Sequence, residues 1–269
     1  MTAAQPEVRP LRPGTFRPDP GAASRPRMLA GQTAMELKLT LRNGEQLLLN
    51  LVIPLLLTVV LVTQPFLSFG NASKADTRVD FLLPGIFALA VMSAAFTGQA
   101  IATGFERKYG VLKRLGATPL PRSILLGGKT CAVVCVEVIQ IALLCVVGIA
   151  LGWRPHGSPL SVALLIVLGT AAFAGLGLLM AGTLRAEATL AAANLIWFLL
   201  LFFGGVIFPL STFPDAVADV LQYLPTAALT DGLRAVLEHG HLPPVHDVVT
   251  LVVWGAVALT AAATTFRWE

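Results

Sequence analysis

Six long apolar segments, separated by short polar connections, dominate this chain of 269 residues. They cover about residues 47–67, 81–104, 124–151, 160–184, 189–208 and 248–266. Each has about the 20 mostly apolar residues that an α-helix needs to cross the hydrocarbon core of a membrane. Charged residues make up 13% of the chain, whereas a soluble domain has roughly 25%. The segments therefore predict an all-α polytopic membrane protein with six transmembrane helices.

The lysines and arginines are distributed unevenly between the two sides of such a bundle. Fifteen of the 19 lie before the first segment, between the second and third, at the start of the third, or after the fourth and sixth. Only Lys74, Arg78, Arg154 and Arg234 fall on the other side. Cytoplasmic loops are enriched in Lys and Arg, so both termini are predicted to be cytoplasmic. Basic residues placed in this way indicate membrane orientation, and we expect no nucleic-acid partner.

Residues 1–27 are rich in proline and arginine and have no apolar core. They predict a disordered cytosolic tail without a cleavable signal peptide, followed by a transmembrane domain over 28–269. Residues 35–42 alternate apolar and polar, as a strand does, but an isolated strand at a membrane face would have unpaired edges. We favour an interfacial helix, with Ala30, Ala34, Leu37 and Leu41 on one face.

Two further departures from six plain helices are visible. Pro54 lies inside the first segment, so the backbone hydrogen bond that it cannot make must be satisfied by a neighbour or accepted as a kink. Residues 209–245, on the outer side, contain apolar residues at helical spacing in pieces too short to cross. They predict two re-entrant helices in the outer leaflet; helices lying flat on the surface are the alternative.

Few residues suggest chemistry. The G-K-T sequence at Gly128–Thr130 lacks the first glycine of a phosphate-binding loop, and Lys129 is expected to extend towards the headgroups. The outer histidines have no partner set for a metal, and no nucleophile motif is present. We expect neither an active site nor a metal site.

Glu137 and Gln140 share one face of the third segment, and an acid at that depth is costly. Two readings stay open: an element of a substrate pathway or gate, or an interhelical hydrogen bond that fixes packing. In the second segment small residues recur every four positions, which predicts a close helix or protomer interface. These residues are Ala90, Ala94, Gly98 and Ala102.

The loop between the second and third segments combines apolar and basic residues. A short helix here, stopped by Gly116 and Pro119, would suit docking into a groove of another protein. A loop that only sets topology is the alternative. The docking candidates are Glu106, Arg107, Lys108, Val111, Leu112, Lys113, Arg114 and Leu115.

Two motifs carry a family resemblance. The segment Glu106–Pro119 resembles the loop of ATP-binding-cassette (ABC) type-2 permeases, and Phe203–Pro214 resembles the end of the fifth span and the outer region of the same family. Leu224–Pro225 and Asp231–Arg234 continue the second motif. The resemblance covers about residues 28–266 and is nearest to drug-resistance exporters of the daunorubicin type.

The resemblance implies an amphipathic helix at about 28–44, a coupling helix at about 107–118, and an outer re-entrant region that includes Phe213, Pro214, Leu224, Pro225 and Arg234. It implies a non-catalytic permease subunit of an exporter in the bacterial inner membrane, moving an amphipathic drug, lipid or glycan. Its partners would be a separate ABC ATPase, which binds ATP and Mg, a second permease copy and membrane lipid. An ion-coupled secondary transporter using Glu137 and an intramembrane assembly factor or enzyme are the alternatives.

Overall fold

The computed structural model describes residues 23–63 and 75–265, and in these ranges the chain is helical and contains no β-strand. A π-helix, Met92–Gly98, joins α3 to α4, and a 3₁₀ turn at Leu210–Thr212 precedes α9. The α-helices are α1 (Arg25–Arg42), α2 (Gly44–Thr63), α3 (Ala75–Val91), α4 (Gln99–Lys108), α5 (Val111–Gly116), α6 (Arg122–Ala150), α7 (Pro159–Thr183), α8 (Ala186–Phe203), α9 (Asp215–Leu221), α10 (Pro225–Leu237) and α11 (Val245–Thr265).

Five helical stretches in the described ranges are long and apolar enough to cross a membrane. They are Arg78–Lys108, which runs from α3 through the π-helix to α4, and the helices α6, α7, α8 and α11. These correspond to the second to sixth predicted segments. The first segment coincides with α2, whose apolar part Asn50–Thr63 is shorter, and residues 64–67 lie outside the described ranges. Six crossings therefore stay a prediction.

The ends of the helices follow local sequence signals. The helix α1 begins at Arg25, three residues before its predicted start, with Pro26 in its first turn, where a missing N–H costs nothing. Residues 1–22 of the predicted tail and residues 266–269 lie outside the described ranges. The helix α8 ends at Phe203 and not at 208, because Gly204 and Gly205 bend the chain there and Gly205 has φ of +74°.

Pro54 leaves the carbonyl of Asn50 without its helical donor, since proline has no N–H. The side chain of Gln140, on α6, donates to that carbonyl at 2.6 Å. The hydroxyl of Thr58 donates to the carbonyl of Pro54 at 2.8 Å, one turn further on. A neighbouring helix thus supplies the donor that Pro54 lacks, which is the first of the two outcomes that the sequence allowed.

The stretch from α3 to α4 is the most deeply buried of the five, and α7 packs closely against it. A Cβ atom built on Gly177 of α7 would lie 2.7 Å from the carbonyl oxygen of Phe96 in the π-helix. Gly175 approaches α11 in the same way, with Ala258 Cβ at 2.8 Å from the corresponding position. Small residues on α7 therefore allow close packing on both sides.

Large apolar side chains are exposed along α2, α6, α8 and α11, among them Leu56, Val138, Leu195 and Val257. Such faces fit helices whose surroundings are lipid. One end of the bundle, here the Lys129 end, is formed by α1, α5, the end of α4, the start of α6 and the α7–α8 connection. The opposite end, here the Arg234 end, is formed by α9, α10 and the connection between α6 and α7.

Candidate functional site

Lys129 lies at the centre of a buried ion cluster at the Lys129 end. Its ammonium contacts a carboxylate oxygen of Glu36 at 3.0 Å and both carboxylate oxygens of Glu106, at 2.9 and 2.7 Å. Gln32 donates to the other oxygen of Glu36 at 2.7 Å. Only 4% of the Lys129 side chain is exposed, so the expectation that it extends towards the headgroups is wrong. A buried charge needs partners, and two carboxylates supply them.

The cluster joins three helices, because Glu36 lies on α1, Glu106 on α4 and Lys129 on α6. Gly128 makes the approach of α1 possible: a Cβ atom there would lie 2.5 Å from Cγ of Gln32. The helix α1 turns its polar residues Gln32 and Glu36 inwards, while the predicted apolar face is exposed at Ala30, Ala34 and Leu41. The N-terminal helix is thus fixed to the bundle by charge as well as by packing, since Leu29 lies against Gly127 of α6.

A cavity of about 270 Å³ lies beside this cluster, between α1, α4 and α6. It is called the polar cavity here after the charged residues that line it, although most of its surface is apolar. Glu36, Glu106 and Lys129 are the charged residues that line it. Gln99 and Thr103 of α4 also line it, and they are 5% and 0% exposed. Neither side chain has a hydrogen-bond partner among the described residues. Buried polar groups without partners are uncommon and call for an explanation.

A larger cleft of about 670 Å³ opens between α2, the π-helix, α4 and α8. Its walls are mostly apolar and include Phe105, Trp197 and Phe198. The cleft and the polar cavity share several lining residues, so they are adjacent. The shared residues are Asn43, Asn50, Gly98, Ala102 and Phe105.

The small residues of the second segment fall into two groups. Ala90 and Ala94 are buried, whereas Gly98 and Ala102 are half-buried and line both the polar cavity and the cleft. The π-helix between them adds residues per turn, so a spacing of four no longer gives a straight ridge. Whether Gly98 and Ala102 also contact a second protomer stays a prediction.

The basic loop forms α5, whose Leu112 is fully buried against Leu125 and Leu178 of its own chain. Leu115 is half-buried beside it. These two predicted docking residues thus hold α5 to the bundle. Val111, Lys113 and Arg114 are exposed, as is Tyr109 just before the helix.

The end of α4 is fastened to the neighbouring connection between α7 and α8. Arg107 donates to the carbonyl of Leu184, and Lys108 forms an ion pair with Glu187 at the start of α8. Glu106, also predicted as a docking residue, belongs to the Lys129 cluster instead. The residues from 106 to 108 therefore connect α4 to α1, α6 and α8.

Glu137 and Gln140 point to different helices. Thr170 of α7 donates to a carboxylate oxygen of Glu137 at 2.5 Å, and Gln140 donates to the carbonyl of Asn50 in α2. Neither residue lines the polar cavity or the cleft. Their contacts are those of interhelical hydrogen bonds; a role in gating stays a prediction.

At the Arg234 end, Arg234 is buried, with its guanidinium 4.2 Å from the centre of the Phe81 ring. It also donates to the carbonyl of Val206 at 3.2 Å, at the bend that ends α8. Burial lowers the pKa of Arg234 and raises the pKa of Asp231 to about 6, although attraction between the two opposes both shifts. Arg234 thus holds α10 to α3 and α8.

The other predicted residues of the outer region shape its turns. Pro214 precedes α9, and Pro225 is the buried first residue of α10, after the half-buried Leu224. Phe213 lies against Phe203, with ring centres 5.9 Å apart. The helices α9 and α10 are both too short to cross a membrane; their depth in the leaflet stays a prediction.

Sequence reasoning missed Glu36 and Gln99 and misplaced Lys129. One signal was available for two of the three residues, since Glu106 lies just after the second apolar segment and Lys129 lies inside the start of the third, whereas Glu36 lies well before the first. Because such residues must find partners, their pairing could have been proposed.

Comparison with known proteins adds two findings. The family model described as "ABC-2 family transporter protein" matches residues 31–264, from α1 to the last turn of α11. The chain is 24% identical over 237 residues to a protein of Bacillus subtilis (strain 168) named "Putative transport permease YvfS". That alignment covers 84% of this chain and 92% of the relative.

Proposed function

The chain belongs to the ABC-2 family of transporter proteins, and from this premise we propose that it is the membrane-spanning permease subunit of an ATP-driven exporter. It moves an amphipathic drug, lipid or glycan out of the cytoplasm. A separate ABC ATPase binds ATP and Mg and performs the hydrolysis. A second permease copy, identical or related, completes the transporter. Both termini lie in the cytoplasm of a bacterial cell, with the Lys129 end on that side.

The observation that carries this proposal is the attachment of α5. The helix presents Val111, Lys113 and Arg114 outwards, while Leu112 anchors it to its own chain. An exposed short helix with apolar and basic side chains is suited to a groove on a partner protein. The buried anchor means that force on α5 reaches the bundle and is not absorbed by a mobile loop.

The contacts at the end of α4 support a route for that force. A displacement of α5 would pull on α4, which is fixed to α1 and α6 by the Lys129 cluster and to α8 by the Lys108–Glu187 pair. The cleft lies between α2, α4 and α8, so its width changes when these helices move together. ATP binding on the partner can shift the cleft only through contacts that differ between the two states.

The experiment is co-purification with ABC ATPases from the same genome that lack a membrane domain of their own. We expect one of them to remain bound to the solubilised permease. The substitution Val111→Asp should lower its recovery at least about tenfold, since it places a charge in the centre of the contact. The matched control is Val220→Asp, because Val220 is also exposed but lies on α9 at the Arg234 end.

Two results would contradict the proposal. If no such ATPase is retained by the wild-type chain, the assignment as a permease subunit fails. If Val111→Asp and Val220→Asp retain the ATPase equally well, the subunit assignment stands but α5 is not its docking surface.

A further inference from the structure

The polar cavity carries an excess of negative charge. Of its charged lining residues, Glu36 and Glu106 are carboxylates and Lys129 is an ammonium, which leaves one negative charge. The ammonium is already in contact with both carboxylates. A cationic group entering the cavity would balance this charge, whereas an anion would meet two carboxylates around one occupied ammonium.

Two buried polar side chains in the same cavity have unused hydrogen-bonding groups. Gln99 has neither a donor for its amide oxygen nor an acceptor for its amide nitrogen, and the Thr103 hydroxyl is also unpartnered among the described residues. Both are at least nine-tenths buried and both line the cavity. An amide oxygen and a hydroxyl oxygen are acceptors for the N–H groups of an ammonium. These side chains are an observation independent of the charge: their oxygens can accept from a cationic ligand, and the amide nitrogen of Gln99 can donate to an oxygen of the same ligand.

The cleft next to the polar cavity indicates the chemical character of the rest of the ligand. The polar cavity borders the cleft between α2, α4 and α8, and Phe105 is one of the residues that line both. Trp197 and Phe198 line the cleft alone. A molecule that fills both spaces has a small cationic head and a large apolar body, and the aromatic rings would also favour a cation that passes them.

We propose that the polar cavity and the cleft together form a binding site for amphipathic primary amines, with the ammonium beside Glu36, Glu106 and Gln99 and the apolar body along Trp197 and Phe198. This inference rests on the proposed function and narrows its substrate class to cations. The ammonium belongs either to a soluble amphipathic amine or to the headgroup of an aminophospholipid.

The test uses three dansyl probes with the same eleven-carbon chain, ending in an ammonium, a methyl group or a carboxylate. Binding is measured from dansyl fluorescence with the full chain in phosphatidylcholine nanodiscs, after subtraction of the signal from empty nanodiscs. We expect the ammonium probe to bind at least about tenfold more tightly than the carboxylate probe, since charge-assisted hydrogen bonds are of that strength. Equal affinity for the two charged probes would overturn the proposal.

Two substitutions that remove charges of opposite sign distinguish a role of the cluster in binding from a purely structural role. Glu106→Gln removes the excess negative charge and should weaken binding of the ammonium probe about tenfold, whereas Lys129→Gln adds to it and should strengthen binding. Gln99→Leu should weaken binding without changing the charge. Asp219→Asn, at an exposed position of α9 at the Arg234 end, is the matched control and should have no effect. If Glu106→Gln and Lys129→Gln both weaken all three probes to the same extent, the cluster only holds the helices together and the proposal fails.

The source of the amine is distinguished by lipid composition. If an aminophospholipid occupies the site, phosphatidylethanolamine in the nanodiscs should weaken binding of the ammonium probe, while phosphatidylglycerol should not. If the ligand is a soluble amine, the affinity should be the same with and without phosphatidylethanolamine. No ATPase takes part in these measurements, so their failure leaves the proposed permease function intact, and a failure of ATPase co-purification leaves them unaffected.

Discussion

At the scale of single residues, Lys129 shows how a buried charge can connect helices. Its ammonium is removed from water and satisfied by carboxylates of Glu36 and Glu106 from two other helices. Loss of the ammonium would leave two buried carboxylates facing each other. Removal of one member of a buried ion pair costs about 3–5 kcal/mol, which is much more than the pair contributes over an apolar replacement.

We therefore predict that Lys129→Ala lowers the free energy of unfolding by about 3 kcal/mol. The matched control is Lys108→Ala, which breaks an ion pair whose side chains are 46% and 65% exposed and should lower the free energy of unfolding much less, because water screens the pair. SDS titration of the detergent-solubilised protein measures both. Equal losses for the two variants would show that the cluster is no stronger than a surface pair. A loss of this size leaves a typical domain folded.

The pair of Pro54 and Gln140 allows a double-mutant cycle. Gln140→Leu leaves the Asn50 carbonyl without a donor and should cost about 1–3 kcal/mol in unfolding free energy. In a Pro54→Ala background the backbone N–H of residue 54 can satisfy that carbonyl, so the same substitution should cost about 1 kcal/mol less. The SDS titration again provides the values. If the cost of Gln140→Leu is the same in both backgrounds, Gln140 stabilises the protein by a contact other than its hydrogen bond to the Asn50 carbonyl.

A substitution of Glu137 distinguishes the proposed ATP-driven permease from the alternative, an ion-coupled secondary transporter. Its carboxylate accepts from Thr170 and lines neither the polar cavity nor the cleft, so a neutral glutamine should serve the same packing role. We predict that Glu137→Gln retains ATP-dependent efflux in proteoliposomes with the ATPase, within about twofold of the wild type. A proton carrier cannot work without an ionisable group, so a loss of transport beyond tenfold would favour the rival.

At the scale of elements, the contact between α7 and the π-helix explains a glycine in the middle of a span. Gly177 faces backbone atoms of Phe96, Ala95 and Ala100, which cannot move aside as a side chain can. Gly177→Ala should lower the unfolding free energy by about 1–3 kcal/mol through overpacking. Gly31→Ala is the control: α1 has open space around it, and alanine there should stabilise by up to about 1 kcal/mol. Thermal unfolding in detergent distinguishes the two, and a stabilised Gly177→Ala would contradict this packing.

The elements also show which parts of the site a sequence can predict. Hydrophobic length located the five long apolar stretches between Arg78 and Thr265, because the cost of exposing a backbone to lipid fixes that length. It could not show that Leu112 turns inwards, since a six-residue helix has apolar residues on more than one side. Nor could it find Glu36 as a partner of Lys129, because Glu36 is brought to that side chain only by the packing of α1 against α6.

At the scale of the whole molecule, the two ends differ in what holds them together. The Lys129 end is joined by ion pairs between α1, α4 and α6. At the Arg234 end, the guanidinium of Arg234 packs on Phe81 and bonds to backbone carbonyl groups. Both arrangements bury a cation, but only the first connects to an exposed basic helix. The proposed docking of an ATPase on α5 requires that the Lys129 end faces the cytoplasm, where ATP is present. The orientation of the chain in the membrane therefore matters for its proposed function.

The orientation can be measured by cysteine labelling, starting from a chain in which Cys131, Cys135 and Cys145 are replaced by alanine. The two test positions are both exposed: Ala117→Cys follows α5, and Leu242→Cys lies between α10 and α11. With 15 of 19 basic residues on the predicted cytoplasmic side, the positive-inside bias should place residue 117 inside the cell and residue 242 outside. A membrane-impermeant maleimide should therefore label position 242 in intact cells and position 117 only after lysis. Labelling of position 117 in intact cells would place α5 away from any cytoplasmic ATPase, and the coupling route through α4 would then have no source of energy.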